Sequence, residues 1–275
     1  MGIVNVTPDS FSDGGLYLDA EAATTHGRRL AGEGAEILDV GGESTRPGAE
    51  TVIAGEELRR TEPVVRALAA DGHQVSIDTS KVAVAAAALD AGAAIVNDVT
   101  ALAAGPELAE LCADRGCGLV LMHMQGTPRT MQEDPAYDDV VDDIRAFLGE
   151  RIEFAMSRGV DESRIWVDPG IGFGKTVEHN LELLRRLGEL RDLGRPIVIG
   201  TSRKTFLGKL TGREPGARLG GTIASNVLAL AAGADVFRVH DVGPVREALS
   251  VAEAILGRRQ WGTDERFAGA SAEAG

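Results

Sequence analysis

Eight short apolar runs recur along the chain, at residues 3–6, 36–40, 74–78, 94–98, 118–123, 164–168, 196–200 and 235–240. Each is apolar at consecutive positions rather than at every second one, the pattern of a parallel strand covered on both faces. Between them lie Ala/Leu/Glu/Arg-rich segments with helical spacing, at 20–33, 56–70, 81–91, 138–158, 178–193, 219–232 and 244–256. Small-residue turns, GEGAEI, DAGAAI, DRGCGL and AAGADV, lead into several of the runs. Eight strand–helix units within about 250 residues predict an α/β fold, a (β/α)8 TIM barrel in one domain. A doubly wound sheet would carry G-x-G-x-x-G in its first turn; here that turn reads NVTPDSFSDGG. The barrel domain is expected to span 1–257. Its first strand starts at Met1, with no preceding segment to plug the barrel floor. Residues 258–275 lose all periodicity and read as a disordered tail.

The 28 basic and 42 acidic residues give a formal charge of −14. That field repels phosphate backbones and anionic lipid, so neither nucleic acid nor membrane is an expected partner. No apolar run approaches the roughly 18 residues of a membrane span, and no charged-then-apolar leader precedes the first motif. Cys112 and Cys117 fit no disulfide framework or C-x-x-C pattern and read as reduced thiols of a cytoplasmic protein.

In such barrels chemistry collects where strands end. The runs here end in Asn5, Asp39, Asp78, Asn97 with Asp98, His123, Asp168, the Ser202-Arg203-Lys204 segment, and Arg238 with His240 and Asp241. An Asp at a strand end is often only a cap or turn residue, a reading that suits Asp39, Asp98 and Asp241. The convergence of all eight ends favours a site. Asp168, Asp78 and Asn97 would suit the amidine-like edge of a flat heterocycle, because a carboxylate accepts two parallel N–H bonds. Arg238, His240, Lys204 and Arg203 would form a cationic patch at the strands that commonly bind phosphate in barrels. No grouping has zinc-ligand spacing, and neither a G-x-S-x-G elbow nor a Walker loop is present. The loops NVTPDSFSDGG and GGESTRPGAE are too long for minimal turns and read as substrate loops. Phe11 and Pro47 are their apolar residues best placed to close over a planar substrate.

These motifs together resemble the dihydropteroate synthase family of the folate pathway, one of whose substrates the sulfonamides mimic. The resemblance covers Gly2 to about Leu256. It rests on NVTPDSFSDGG at 5–15, GGESTRPGA at 41–49, SIDT at 76–79, NDV at 97–99, LMHMQGTPRTMQ at 121–132, DPGIGFGKT at 168–176, GTSRK at 200–204 and RVHDV at 238–242. It implies a transferase joining 6-hydroxymethyl-7,8-dihydropterin diphosphate to 4-aminobenzoate, with release of diphosphate. It further implies that Asp168 and Asn97 hold the pterin edge, with Asp78 at its ring nitrogens and Lys204 in contact. Arg238 and His240 would bind the diphosphate, and Asn5 would help hold Mg²⁺ against it. Phe173, Thr45, Arg46, Pro47 and Phe11 would surround the aminobenzoate. The family usually has Ser after SRK, where it binds the aminobenzoate carboxylate; here Thr205 keeps the hydroxyl, and altered access for sulfonamides is expected. The family also suggests a homodimer, through helices on the far side from the loops.

Two other readings remain at this point. A pterin-dependent methyltransferase shares a similar barrel but has no diphosphate to hold, so the SRK and RVHD cations would lack a purpose. A non-catalytic paralogue would be marked by degraded loops, and both loops here are intact.

Overall fold

The computed structural model describes residues 1–7, 16–45, 48, 49 and 51–258, with 16–19 as backbone only. Strands β1 (Gly2–Asn5), β2 (Ile37–Gly41), β3 (Gln74–Asp78), β4 (Ile95–Asp98), β5 (Gly118–Met122) and β6 (Ile165–Asp168) pair in parallel and in chain order. β7 (Val198–Ile199) and β8 (Val236–Phe237) form a second parallel pair. Parallel bridges join the two groups, Val167 to Ile197 on one side and Gly2 to Val239 on the other. At the second bridge the Ile3 N–H donates to the Val239 carbonyl and the Val239 N–H to that of Met1, both at 3.0 Å. The ring is closed, and the barrel expected from the eight apolar runs is the fold.

The helices are α1 (Leu16–Gly32), α2 (Ala54–Ala70), α3 (Val82–Asp90), α4 (Glu107–Arg115), α5 (Val140–Ser157), α6 (Val177–Arg185), α7 (Thr205–Thr211), α8 (Leu219–Ala232) and α9 (Val242–Ile255). One helix expected over 178–193 is interrupted. Arg186 leaves helical geometry at φ −105°, and its guanidinium grips Glu189 and Asp139. The remainder, Leu187–Leu193, winds as 3₁₀. Arg258 is not part of a loose tail: it donates to the Leu230 carbonyl at 2.5 Å. Residues 259–275, the rest of the expected tail, lie outside the described residues.

Alternation along each strand sorts the core into two compartments. Leu38, Val40, Val75, Ile77, Val96, Leu119, Leu121, Ile165 and Val167 are almost fully buried in one cluster with α-helical residues such as Leu30, Val64, Leu68, Ile144, Leu148 and Leu183. Burial of each such side chain contributes roughly 1.5–3 kcal/mol. A second, smaller cluster holds Ile37, Ile95, Val120 and Val198, with Met1, Trp166 and Val236 packed against it. These belong to the opposite parity of their strands and floor the barrel. Met1 packs against this floor. Among the described residues no helix is long and apolar enough to cross a membrane.

Candidate active site

A residue two positions beyond each floor residue must point the same way, one layer higher. Ile37 leads to Asp39, Ile95 to Asn97, Trp166 to Asp168 and Val236 to Arg238. The same step on β3 leads from buried Ser76 to Asp78, which is in register with Asn97. A polar layer therefore lies directly on an apolar floor, built by strand geometry before any loop is considered.

Arg238 organises that layer. Its Nε donates to Asp39 Oδ2 at 2.6 Å and its Nη2 to Asp78 Oδ2 at 2.7 Å. Asn97 Nδ2 donates to the same Asp39 oxygen at 3.2 Å. Asp39 is fully buried, so it is neither a cap nor a turn residue, contrary to expectation. Asp98 does serve the turn after β4, accepting from the N–H groups of Thr100 and Leu102. One guanidinium thus faces two carboxylates. Burial, with the Asp39 charge adding to it against the pull of Arg238, pushes the Asp78 carboxyl up to about 7.

Asp168 is buried beside this trio, and burial raises its pKa too. One of its oxygens accepts the Gly170 N–H at 2.7 Å, which fixes the start of the β6–α6 loop. That loop is held along its length. Gln132 donates to the Gly172 carbonyl, Lys175 to that of Phe173 and Tyr137 to that of Gly174, at 2.7–2.9 Å. Phe173 is thereby presented to Lys204, whose Nζ lies 3.9 Å from the ring centroid. Burial first, then the nearby Arg238 charge, draws the Lys204 ammonium down to about 8, with Asp168 and Asp78 opposing. Arg218 steadies the backbone here by donating to the carbonyls of Arg203 and Lys204.

Lys175 escaped the sequence reading. It is only 3% exposed, and its Nζ lies 3.0 Å from His123 Nδ1. Burial lowers the basicity of both, with the Lys175 charge adding to the effect on His123, which falls to about 3. His123 does not join the polar layer. Its ring meets Phe147 of α5 edge-on at 4.9 Å, outside the barrel, because Met122 takes the inward position in register with Asp168. Arg203 is a second correction. Its backbone is left-handed at φ 58°, and its guanidinium is paired with both Asp241 oxygens at 3.0 and 2.5 Å. It is not part of a cationic patch with Lys204 and Arg238. His240 Nδ1 lies 3.0 Å from Ser202 Oγ, so the ends of β7 and β8 meet. Asn5 and Thr45 are half-buried and Thr205 is exposed at the start of α7. Phe11, Arg46 and Pro47 lie outside the described residues.

Residues 1–240 match the family model described as pterin binding enzyme. The chain belongs to this family. Its relatives there include the dihydropteroate synthase of Escherichia coli strain K12, 44% identical over 261 residues, covering 94% of this chain and 92% of the relative. The dihydropteroate synthase of Xanthomonas albilineans, solved with 4-aminobenzoic acid, superposes with a TM-score of 0.87 at 49% identity, covering 93% and 92% of the two chains. A second structure of that enzyme, with 7,8-dihydropteroate, gives 0.84 at 47% over the same shares. Fold and function therefore agree with the resemblance seen in the motifs: the chain is a pterin-binding transferase of folate biosynthesis. Among the described residues, no group of three or more His, Cys, Asp or Glu is arranged to hold a metal ion.

Proposed function

We propose that the chain performs the dihydropteroate synthase reaction with the polar layer as its pterin site. The single observation that carries this is the placement of Asp168, Asn97, Asp78 and Arg238 directly above an apolar floor. A flat, nitrogen-rich ring can lie on such a floor with its edge N–H groups satisfied by buried acceptors. Asp168 and Asn97 hold the pterin edge, Asp78 its ring nitrogens, and Lys204 contacts the ring system.

The amine of 4-aminobenzoate attacks the pterin methylene as the bond to diphosphate breaks, and the amine loses a proton. An electron-rich dihydropterin stabilises positive charge at that methylene, so no protein nucleophile is needed. The chain's work is electrostatic and positional. Arg238 and His240 face the diphosphate. Phe173, Thr45, Arg46, Pro47, Phe11 and the Thr205 hydroxyl shape the aminobenzoate site. Arg203, committed to Asp241, steadies the turn that presents Lys204.

Mg²⁺ fits this donor set in a particular way. With no carboxylate cluster for it among the described residues, the ion would be held by diphosphate oxygens and by the side-chain oxygen of Asn5, as is usual for Mg²⁺ on phosphate substrates. There it would neutralise the charge of the leaving group. A cytoplasmic location accords with the two free, buried cysteines. A homodimer accords with exposed apolar side chains such as Leu210, Leu228 and Ile255 on α7, α8 and α9.

The test is turnover. Purified protein with Mg²⁺, dihydropterin diphosphate and 4-aminobenzoate should form dihydropteroate and release diphosphate. No product above a folded Lys204→Ala control would sink the reading.

A further inference from the structure

The roots of the loop after β2 are tied together by a clasp that no step of the reaction uses. Glu43 follows β2 by two residues, and its Oε1 accepts the N–H of Val52, at the far end of the segment, at 2.9 Å. Its other oxygen meets the ammonium of Lys81, which bonds in turn to Glu57 Oε2 on α2 at 2.5 Å. The Glu57 side chain is 0% exposed, and its Oε1 has no hydrogen-bond partner. Arg60 of α2 adds a further tie, donating to the Gly42 carbonyl at 2.9 Å. Gly42 has no room for a side chain: a Cβ there would stand 2.7 Å from Thr61 Cγ2 and 3.1 Å from Glu57 Cγ.

A carboxylate buried this deeply is a poor means of stabilising a fold, since an apolar residue of equal size does as well or better. What the charges do here is join three elements at one point: the loop after β2, the first turn of α2 and the segment between β3 and α3. Thr45 stands two residues from Glu43. With the clasp closed, the roots of the loop are fixed before substrate arrives. With it open, ordering them is charged to the binding step and weakens affinity.

We propose that Lys81 is a positioning residue for 4-aminobenzoate, setting the place of Thr45 through Glu43 without touching substrate. This rests on the function proposed above, in which Thr45 belongs to the aminobenzoate site.

Three variants test it by steady-state kinetics with Mg²⁺, each substrate varied against saturating amounts of the other, alongside thermal unfolding. Glu43→Ala opens the clasp but leaves the buried Lys81–Glu57 pair intact, so it guards against simple misfolding. Lys81→Met removes the cation, and Lys81→Arg keeps it. Glu43→Ala and Lys81→Met should raise KM for 4-aminobenzoate about tenfold, with kcat and KM for the pterin diphosphate within about twofold of wild type. Lys81→Arg should recover most of the loss. An unchanged KM for 4-aminobenzoate in folded Glu43→Ala overturns the proposal. So do equal rises in both KM values with a lowered Tm, which would make the clasp a plain structural support. If wild type forms no product, the synthase reading itself fails. If wild type turns over and Glu43→Ala matches it, only the clasp proposal fails.

Discussion

Arg238 and Asp39 stand 199 residues apart in the chain, and their side chains meet at 2.6 Å inside the barrel. The contact joins β8 to β2 across β1, and Asn97 and Asp78 extend it to β4 and β3. Asp39→Ala would strand the Nε donor of Arg238 and the Nδ2 donor of Asn97 in a buried site. Each stranded donor costs about 1–3 kcal/mol. Thermal denaturation should show a Tm lower by several degrees, and turnover should fall further than stability does, because Arg238 loses its aim. A variant with unchanged Tm would mean the pair does not hold the layer.

Asp78 gives a pH dependence with a definite sign. Its folded pKa, about 7, lies above the ordinary 3.8, so the fold resists ionising it. The associated stability is present below about pH 4 and is lost as the pH climbs through about 7. An Asn at this position keeps an acceptor for Arg238 and does not titrate. The Tm of Asp78→Asn relative to wild type should therefore be more favourable near about pH 8 than near about pH 5. The opposite trend would show that Arg238 outweighs burial.

Asp168→Ala should cut pterin affinity at least about tenfold, since losing a charge-assisted hydrogen bond in a dry site costs roughly 1.5–3 kcal/mol. Calorimetry with the pterin substrate measures this directly. Unchanged affinity would remove Asp168 from the pterin site.

Gly170 is the most sensitive position of the β6–α6 loop. It sits at φ 68°, and a Cβ would come within 1.9 Å of the His123 carbonyl oxygen. Gly170→Ala adds left-handed strain to overpacking, for a loss of about 3 kcal/mol. It would also displace the N–H that Asp168 accepts, so denaturant unfolding and pterin binding should suffer together. A variant as stable as wild type would contradict the packing.

Much of this is legible in the sequence alone. β3 and α8 lie where the sequence pattern puts them, and the eight runs close as a barrel. β7 and β8 are shorter than their runs because regular pairing covers only Val198–Ile199 and Val236–Phe237, the neighbours being joined by single bridges. Asp39 was open to being taken for a turn residue because strand-end aspartates so often are. Counting two back to Ile37 would have turned it inward, and the same count turns His123 and Asp98 outward. Lys175 had no such signal. Its ammonium meets His123, which arrives from another part of the chain, and spacing within one segment does not record that.

Among the described residues the apolar floor closes one end of the barrel. Ile37, Ile95, Val120 and Val198 block the lower end, so on the proposed function both substrates enter and the products leave by the opposite end. Whatever binds deepest has to go in first. With the pterin on the floor and the aminobenzoate nearer Phe173, as proposed above, an aminobenzoate that arrives early would stand in the doorway. On that reading the order of traffic is built into the floor: pterin diphosphate in first, aminobenzoate second, and diphosphate and the joined product out by the same way.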